Sequence, residues 1–510
     1  MSVISSSSVV PYLHRARPIE EIGRALQVGS ILEGSVTAKR GVLRVSVQLT
    51  DLAARRYIWA EAYERDTNGT LSTQGDLAIE ICRALRGKLT KSEALLIGDR
   101  PTNVQSAYDL YLRAQVRSRE AGVFVDRKIH EEAVALYEQA IAQDPNFGLA
   151  YAGLSLTHGR LYWVTTLDGS SNRRAKQQRA LAEANRLVPF RPETQLARGA
   201  FLYYGGHDFK GALREFLNAE VRMPNDEELH GFLAYTYRRL GRWHDAVFHL
   251  QRSITLNPRE GHAAMAETLM LMRRFQAARD AASLGLAHFP DDPRLQVLFA
   301  RGQFELDHDR NARRSRFRAI APGPEDPFGL QGAYEAALRD GELGVAAKVL
   351  ADRRIKWIAS PTLVGVEPVM LRRAWLAHLK GTPGRAAKYA SAAVKAYHDQ
   401  AWPRRQVPFA QIGLAQAYAF IGENGVALKK VRAVLAAAAR RDLVDLALLL
   451  PMAARVFLAL ERDHGALDCL ETMMSNPCLV TPMDIHEDPA WKRLRGLARF
   501  KQLLDSASII

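Results

Sequence analysis

Two periodicities divide this chain. In GVLRVSVQLTD, Leu43, Val45, Val47 and Leu49 fall on one face, while Val42, Arg44, Ser46 and Gln48 fall on the other. That period-two alternation predicts a half-buried strand. GSILEGSVTAK before it and YIWAEAYERD after it complete an antiparallel meander, and PIEEIGRALQ, opened by Pro18, predicts a short helix in front. From SAYDLYLRAQ onward, apolar positions recur at helical spacing almost to the end.

The helical part repeats. Ala212, Phe216, Ala219 and Pro224 recur 34 residues later as Ala246, Leu250, Ser253 and Pro258. Ala133, Tyr137, Ala140 and Pro145 have the same spacings, as do Ala278, Ala282, Gly285 and Pro290. Small residues let a second helix approach the first, a larger one fills the gap between them, and proline ends the pair. This is the tetratricopeptide pattern, which predicts a mainly α solenoid of roughly nine to eleven helix pairs behind a small α/β unit. Repeat quality falls beyond about residue 300.

The amino-terminal run VISSSSVVPY…RPIEEIGRALQVGSILEGSVTAKRGVLRVSVQLTDLAARRYIWAEAYERD resembles the TolB-like (FlgO-like) domain of bacterial multidomain regulators. The likeness rests on an LEGSV strand, an RV…QL.D strand and a WAE.Y.RD strand in that order. In that family the domain usually has an earlier strand and helix, and follows a winged helix, a class III cyclase domain or a protein kinase domain. The resemblance therefore implies that this chain lacks the first part of the domain and any head before it. A truncated gene, a misplaced start and a standalone form all fit. The ending IHEDPAWKRLRGLARFKQLLDS resembles the terminal segment of many such proteins, and a solenoid needs a cap over its last apolar face. The expected organisation is residues 1–66 as the partial α/β domain, 67–103 as a helical connector, 104–480 as repeats and 481–510 as the cap.

Composition narrows the function more than it names it. The charged share is 25% and the hydrophobic share 47%, as in a folded chain. Cys82, Cys469 and Cys478 have no C-x-x-C spacing and cannot frame a disulfide scaffold for 510 residues, which predicts a reducing, cytoplasmic setting. The opening lacks the sustained apolar core of a signal peptide. DLVDLALLLPMAARVFLAL is interrupted by Asp445, Pro451 and Arg455, so buried repeat helices are expected there and no membrane insertion. A net charge of +15 permits acidic partners. Its densest cluster, Arg310, Arg313, Arg314, Arg316 and Arg318, would be spread round a helix as a solvated face, which argues against direct nucleic-acid binding.

Catalytic motifs are missing. There is no G-x-S-x-G elbow, no kinase set and no phosphate-cradling glycine loop through Gly23, Gly29, Gly34 and Gly41, and the expectation is a protein that is not an enzyme and needs no cofactor or metal. Asp307, His308 and Asp309 suit a polar inter-helix turn. His244 and His249, five residues apart, point about 140° from each other on a helix and share no face. Both are expected to be partly exposed helix residues. The sequon at Asn68 would go unused in the cytoplasm.

Binding is the expected activity. Stacked helix pairs leave an inner groove, and the tetratricopeptide pattern places Phe201, Tyr204, Tyr235, Arg238, Arg239, Met265, Leu269, Met272 and Arg273 along it. Such a mixed apolar and basic lining suits an amphipathic or acidic peptide. The alternative is that the chain's own amino-terminal domain or termini fill the groove. A carboxylate clamp for chaperone tails is excluded by Ala197, Phe201, Phe232 and Ala266 at the places where lysine and asparagine are needed. Two readings remain: an interaction scaffold, or the sensory part of a longer cyclase, kinase or winged-helix regulator.

Overall fold

A computed structural model describes residues 18–26, 28–39, 42–66, 101–120, 127–163, 168–257, 261–290, 292–309, 311–312, 327–359, 366–400, 402, 407–439, 442–478 and 480–506, with isolated positions elsewhere. Cys82, Asn68, Pro258, most of the 67–103 connector, and Arg310, Arg313, Arg314, Arg316 and Arg318 lie outside the described residues.

The amino-terminal unit is the expected meander. After α1 (Ile19–Leu26), strands β1 (Ser30–Lys39), β2 (Val42–Asp51) and β3 (Arg56–Asp66) pair antiparallel in the order 1-2-3. Val45 stands opposite Val36 and Tyr63, and Val47 opposite Gly34. Val45, Val47, Leu49 and Tyr63 are buried, while Val42 and Arg44 face outward, as alternation demands. Helix α1 lies close to the sheet's end: a Cβ on Gly23 would sit 2.0 Å from Leu52 Cδ1, so any larger residue there must displace the Leu52 side chain.

The rest is a tetratricopeptide-type α-solenoid. Its helix pairs are α2 (Gln105–Glu120) with α3 (Arg127–Gln143), α4 (Gly148–Trp163) with α5 (Ser171–Leu187), and α6 (Pro192–Phe201, extended by a π-turn Leu202–Gly206) with α7 (Phe209–Glu220). Then come α8 (Glu227–Arg239) with α9 (Trp243–Leu256), α10 (His262–Leu271) with α11 (Phe275–His288), and α12 (Pro293–Asp307). Beyond these lie α13 (Pro327–Arg339) with α14 (Leu343–Val349), a two-stranded ribbon of β4 (Trp357–Ala359) and β5 (Val366–Pro368), α15 (Val369–Leu379) with α16 (Pro383–His398), and α17 (Val407–Phe420) with α18 (Asn424–Ala439). The last pair is α19 (Leu443–Ala459) with α20 (Asp463–Met474), followed by α21 (Pro482–Glu487), a 3-10 turn and α22 (Ala498–Ser506). Among the described residues none of these helices is long and apolar enough to cross a membrane.

The repeat signature works as packing. Ala133, Ala140, Ala212, Ala219, Ala246, Ala278 and Ala282 are completely buried, and Phe216 and Leu250 nearly so. The large residue of one helix enters a glycine notch on its neighbour: a Cβ on Gly153 would meet the Tyr137 ring at 2.5 Å, and one on Gly199 the Phe216 ring at 2.4 Å. This is knob-and-hole density of the kind that fixes a single helix register.

Among the described residues, the turns that follow α6, α8, α10, α12, α13, α15, α17 and α19 each close with one residue in the left-handed region: His207, Gly241, Arg273, His308, Gly341, Gly381, Gly422 and Glu461. These stand 34, 32, 35 and 33 residues apart up to Gly341, and then 40, 41 and 39. From Gly341 on the unit is thus lengthened, with the helix pairs kept. At His308 the turn is polar, with Asp309 N–H donating to Asp307 at 2.9 Å.

Candidate functional site

The inner-face residues are carried by α6 to α10, and their burial sets what they can do. Tyr204, Arg238, Arg239, Met265, Leu269, Met272 and Arg273 are buried, and only Phe201 and Tyr235 are half-exposed. An open central groove is not present at these positions. Residues more than two hundred positions later in the chain cover Arg239 and Arg273.

Arg239, at the end of α8, donates to Asp442 at 2.6 Å and to Asp445 at 2.5 Å. Asp442 caps α19, accepting from the backbone of Val444 and Asp445, so Arg239 meets the carboxylates of a helix start. Arg273 does the opposite at the end of α20: it donates to the carbonyls of Met474 at 2.7 Å and Met473 at 2.9 Å. A guanidinium suits both tasks, because its flat fork can address a carboxylate pair or the unsatisfied carbonyls of a helix end. Cys478 N–H then donates to Leu271 O at 3.1 Å, at the end of α10.

The covering segment continues inward. Thr481 donates to Glu305 at 2.6 Å, and Asp484 takes Arg301 at 3.1 Å and Arg339 at 2.9 Å. Arg455, buried in α19, lies 3.3 Å from Glu335 and 3.2 Å from Asp488. Arg372 joins the set, 3.6 Å from Glu335 and 2.6 Å from Glu367. Burial works to raise the Glu335 carboxyl, but Arg455, Arg372 and Arg339 outweigh it and hold it at about 2. Glu305, buried beside Asp484, is pushed up to about 7. Burial also lifts the Cys478 thiol to about 11, so it is a packed residue and a poor nucleophile.

The remaining predicted residues serve the fold. Tyr204 sits between the rings of Trp163 at 5.2 Å and Phe232 at 5.6 Å. Arg174 lies 3.4 Å over the Phe201 ring, and Arg238 binds Glu267 at 3.1 Å and Thr268 at 3.3 Å. Met265 and Leu269 belong to the core between α8 and α11. Sequence reasoning missed Asp442, Asp445, Asp484 and Asp488. Their signal was charge within or beside an apolar run, which requires a partner when buried.

One acidic cluster on this face gives a pH test. Asp226 caps α8, accepting from Leu229 N–H at 2.8 Å, and burial together with Glu228 and Glu227 pushes its carboxyl up to about 7. A raised native pKa contributes stability that is complete below about pH 4 and is lost as pH rises through 7. Asp226→Asn keeps the cap and removes the charge. At pH 8 it should stabilise the chain by about 1 kcal/mol, a gain that shrinks towards zero at pH 4, as followed by urea midpoints. Equal effects at both pH values would show that Asp226 is ionised throughout.

No family model matches the chain. A stretch of 154 residues is 31% identical to the protein named putative adenylate cyclase 3 of Rhizobium meliloti (strain 1021), covering 30% of this chain and 26% of that protein. The chain thus spans about a quarter of the length of the curated relative it matches. Similar solved structures include PilF of Pseudomonas aeruginosa, at 17% identity and TM-score 0.33 over 43% of this chain and 92% of that one. A tetratricopeptide repeat protein from Parabacteroides merdae aligns at 13% identity and TM-score 0.33 over 61% and 98%. Human IFIT1 aligns at 14% identity and TM-score 0.38 over 73% and 78%.

Proposed function

We propose that this chain is a non-catalytic interaction scaffold of a bacterial signalling or regulatory system, working in the cytoplasm and taking a protein or peptide partner along its helix pairs. The observation that carries this reading is the pair Arg239 and Arg273. Each already grips a helix end, one by its carboxylates and the other by its carbonyls. The occupant, α19 and α20, is an apolar helix pair with aspartates at its first turn. A partner of the same kind, an amphipathic helix with an acidic start, fits this surface by competing with that occupant or by docking at its lip, where Phe201 and Tyr235 remain half-exposed. Binding by shape and charge needs no covalent step.

A photo-reactive benzoylphenylalanine in place of Tyr235 tests this in the source cells. One discrete adduct is expected, and it should weaken when a peptide of residues 442–459 is added to the lysate before irradiation. Labelling no stronger than that of a control position on the outer face, such as Phe248, would sink the reading.

A second reading is favoured by the match to a putative adenylate cyclase: the chain is the sensory portion of a longer regulator, with residues 1–66 as the partial TolB-like domain, a connector to 103, repeats to 480 and a cap to 510. It predicts that the adduct contains a cyclase, kinase or DNA-binding chain. It also predicts that adding this chain changes the rate at which the matched relative forms cyclic AMP from ATP.

A further inference from the structure

His249 is buried in α9 and meets residues from two other helices, whereas His244 on the same helix is exposed. His249 Nδ1 lies 3.0 Å from His230 Nδ1 on α8. Glu220 Oε1, at the end of α7, stands 3.7 Å from the first imidazole nitrogen of this pair on α8 and 3.9 Å from that on α9. Three donor atoms from three consecutive helices thus converge within 4.8 Å. We propose that Glu220, His230 and His249 form a site for a divalent transition ion of borderline softness, Zn2+ being the ion that fits best.

The hydrogen bonding prepares the site. His230 Nε2 is 3.0 Å from Pro224 O, and a carbonyl oxygen can only accept, so the proton of neutral His230 is on Nε2. Its Nδ1 therefore presents a lone pair to the gap. A backbone carbonyl holding the far N–H is the support commonly found behind a metal-binding histidine. Without metal, His249 Nδ1–H fills the gap by donating to that lone pair. With metal, His249 turns to its Nε2–H tautomer and both Nδ1 atoms become ligands, with no proton released.

Dimensions and charge agree. Donors bound to zinc at 2.0–2.1 Å in a tetrahedron stand roughly 3.3–3.4 Å apart, inside the observed span of the three edges. Two nitrogens and a carboxylate oxygen are a donor set that zinc takes and that calcium or magnesium does not favour. Both imidazoles are buried, and Glu220 brings the carboxylate. The cations nearby are engaged: Arg242 with Asp245 at 2.8 Å and Arg252 with Asn225 at 3.2 Å. Glu220 is part-exposed, which leaves a fourth position for water. The other cluster of this kind among the described residues, His207 with Asp442 and Asp445, already holds the Arg239 guanidinium.

The full chain, stripped with a chelator, should take one Zn2+ in competition with a chromophoric chelator, and Co2+ in the same site should show a tetrahedral visible spectrum. His230→Gln and His249→Gln should each weaken Zn2+ at least tenfold, and Glu220→Gln, at a part-exposed position that leaves the core intact, should do the same. His244→Gln should leave affinity unchanged. Absence of saturable binding, an octahedral cobalt spectrum, or binding that survives Glu220→Gln and tracks His244 instead would overturn the site.

Discussion

Arg455→Met should destabilise the chain by about 3–5 kcal/mol, because it removes one partner of a buried ion network and leaves the others charged. Arg455, Glu335, Asp488, Glu367 and Arg372 are all buried, and Arg455 is the bond between α13, α19 and the segment behind α21. Without it, Glu335 keeps Arg372 at 3.6 Å, the more distant Arg339 and the Gln331 amide at 3.0 Å, and Asp488 loses its nearest cation. Urea unfolding followed by tryptophan fluorescence reads the loss, with the ring of Trp375 only 5.6 Å from the guanidinium carbon. Glu335 in the native protein holds its charge down to about pH 2, so it contributes stability that is full above its ordinary pKa and is lost as pH falls from there through about 2. In the variant its pKa rises, and the cost should be smaller at pH 4.5 than at pH 8. Adding Glu335→Gln and Asp488→Asn should recover part of the loss, since neutralising both sides of a buried pair costs far less than breaking it. A cost below about 0.5 kcal/mol, that of a surface change, would mean the network is open to water.

Arg239→Met should cost about 2–4 kcal/mol and do so at a distance. It strands Asp442 and Asp445, both buried, at the start of α19. Asp442 keeps its capping bonds, so the helix should persist while its docking weakens. Amide exchange in residues 442–460 should quicken more than in α8, where the substitution sits. Exchange that rises only in α8 would show that α19 is held by its own repeat and not by the inner face.

Much of this architecture is legible in the chain. Val45, Val47 and Leu49 announce the sheet because alternation maps directly onto one buried face. Ala212, Phe216 and Ala219 announce the solenoid because close helix approach permits few residue types. Filling of the groove by the chain itself was one of the two expectations, but the segment that does it was not legible, since no local pattern says which distant stretch an inner face will meet. The clue in α19 was chemical: Asp445 and Arg455 inside an apolar helix exclude a membrane span, and equally demand buried partners of opposite sign. The His230–His249 pair escaped for another reason. Metal-binding motifs are spaced along one helix, whereas these two donors come from facing helices and stand 19 residues apart.

The same closure sets a clock on synthesis. Arg273 and the Met474 carbonyl it grips are separated by 201 residues. At 5–20 residues per second, the inner face of a nascent chain waits about 10–40 s for its cover. During that interval the helix pairs of the first half can form from neighbouring contacts while their arginines stay accessible to whatever acidic helix is nearby. Translation speed through the second half thus becomes a determinant of what the newborn solenoid encloses.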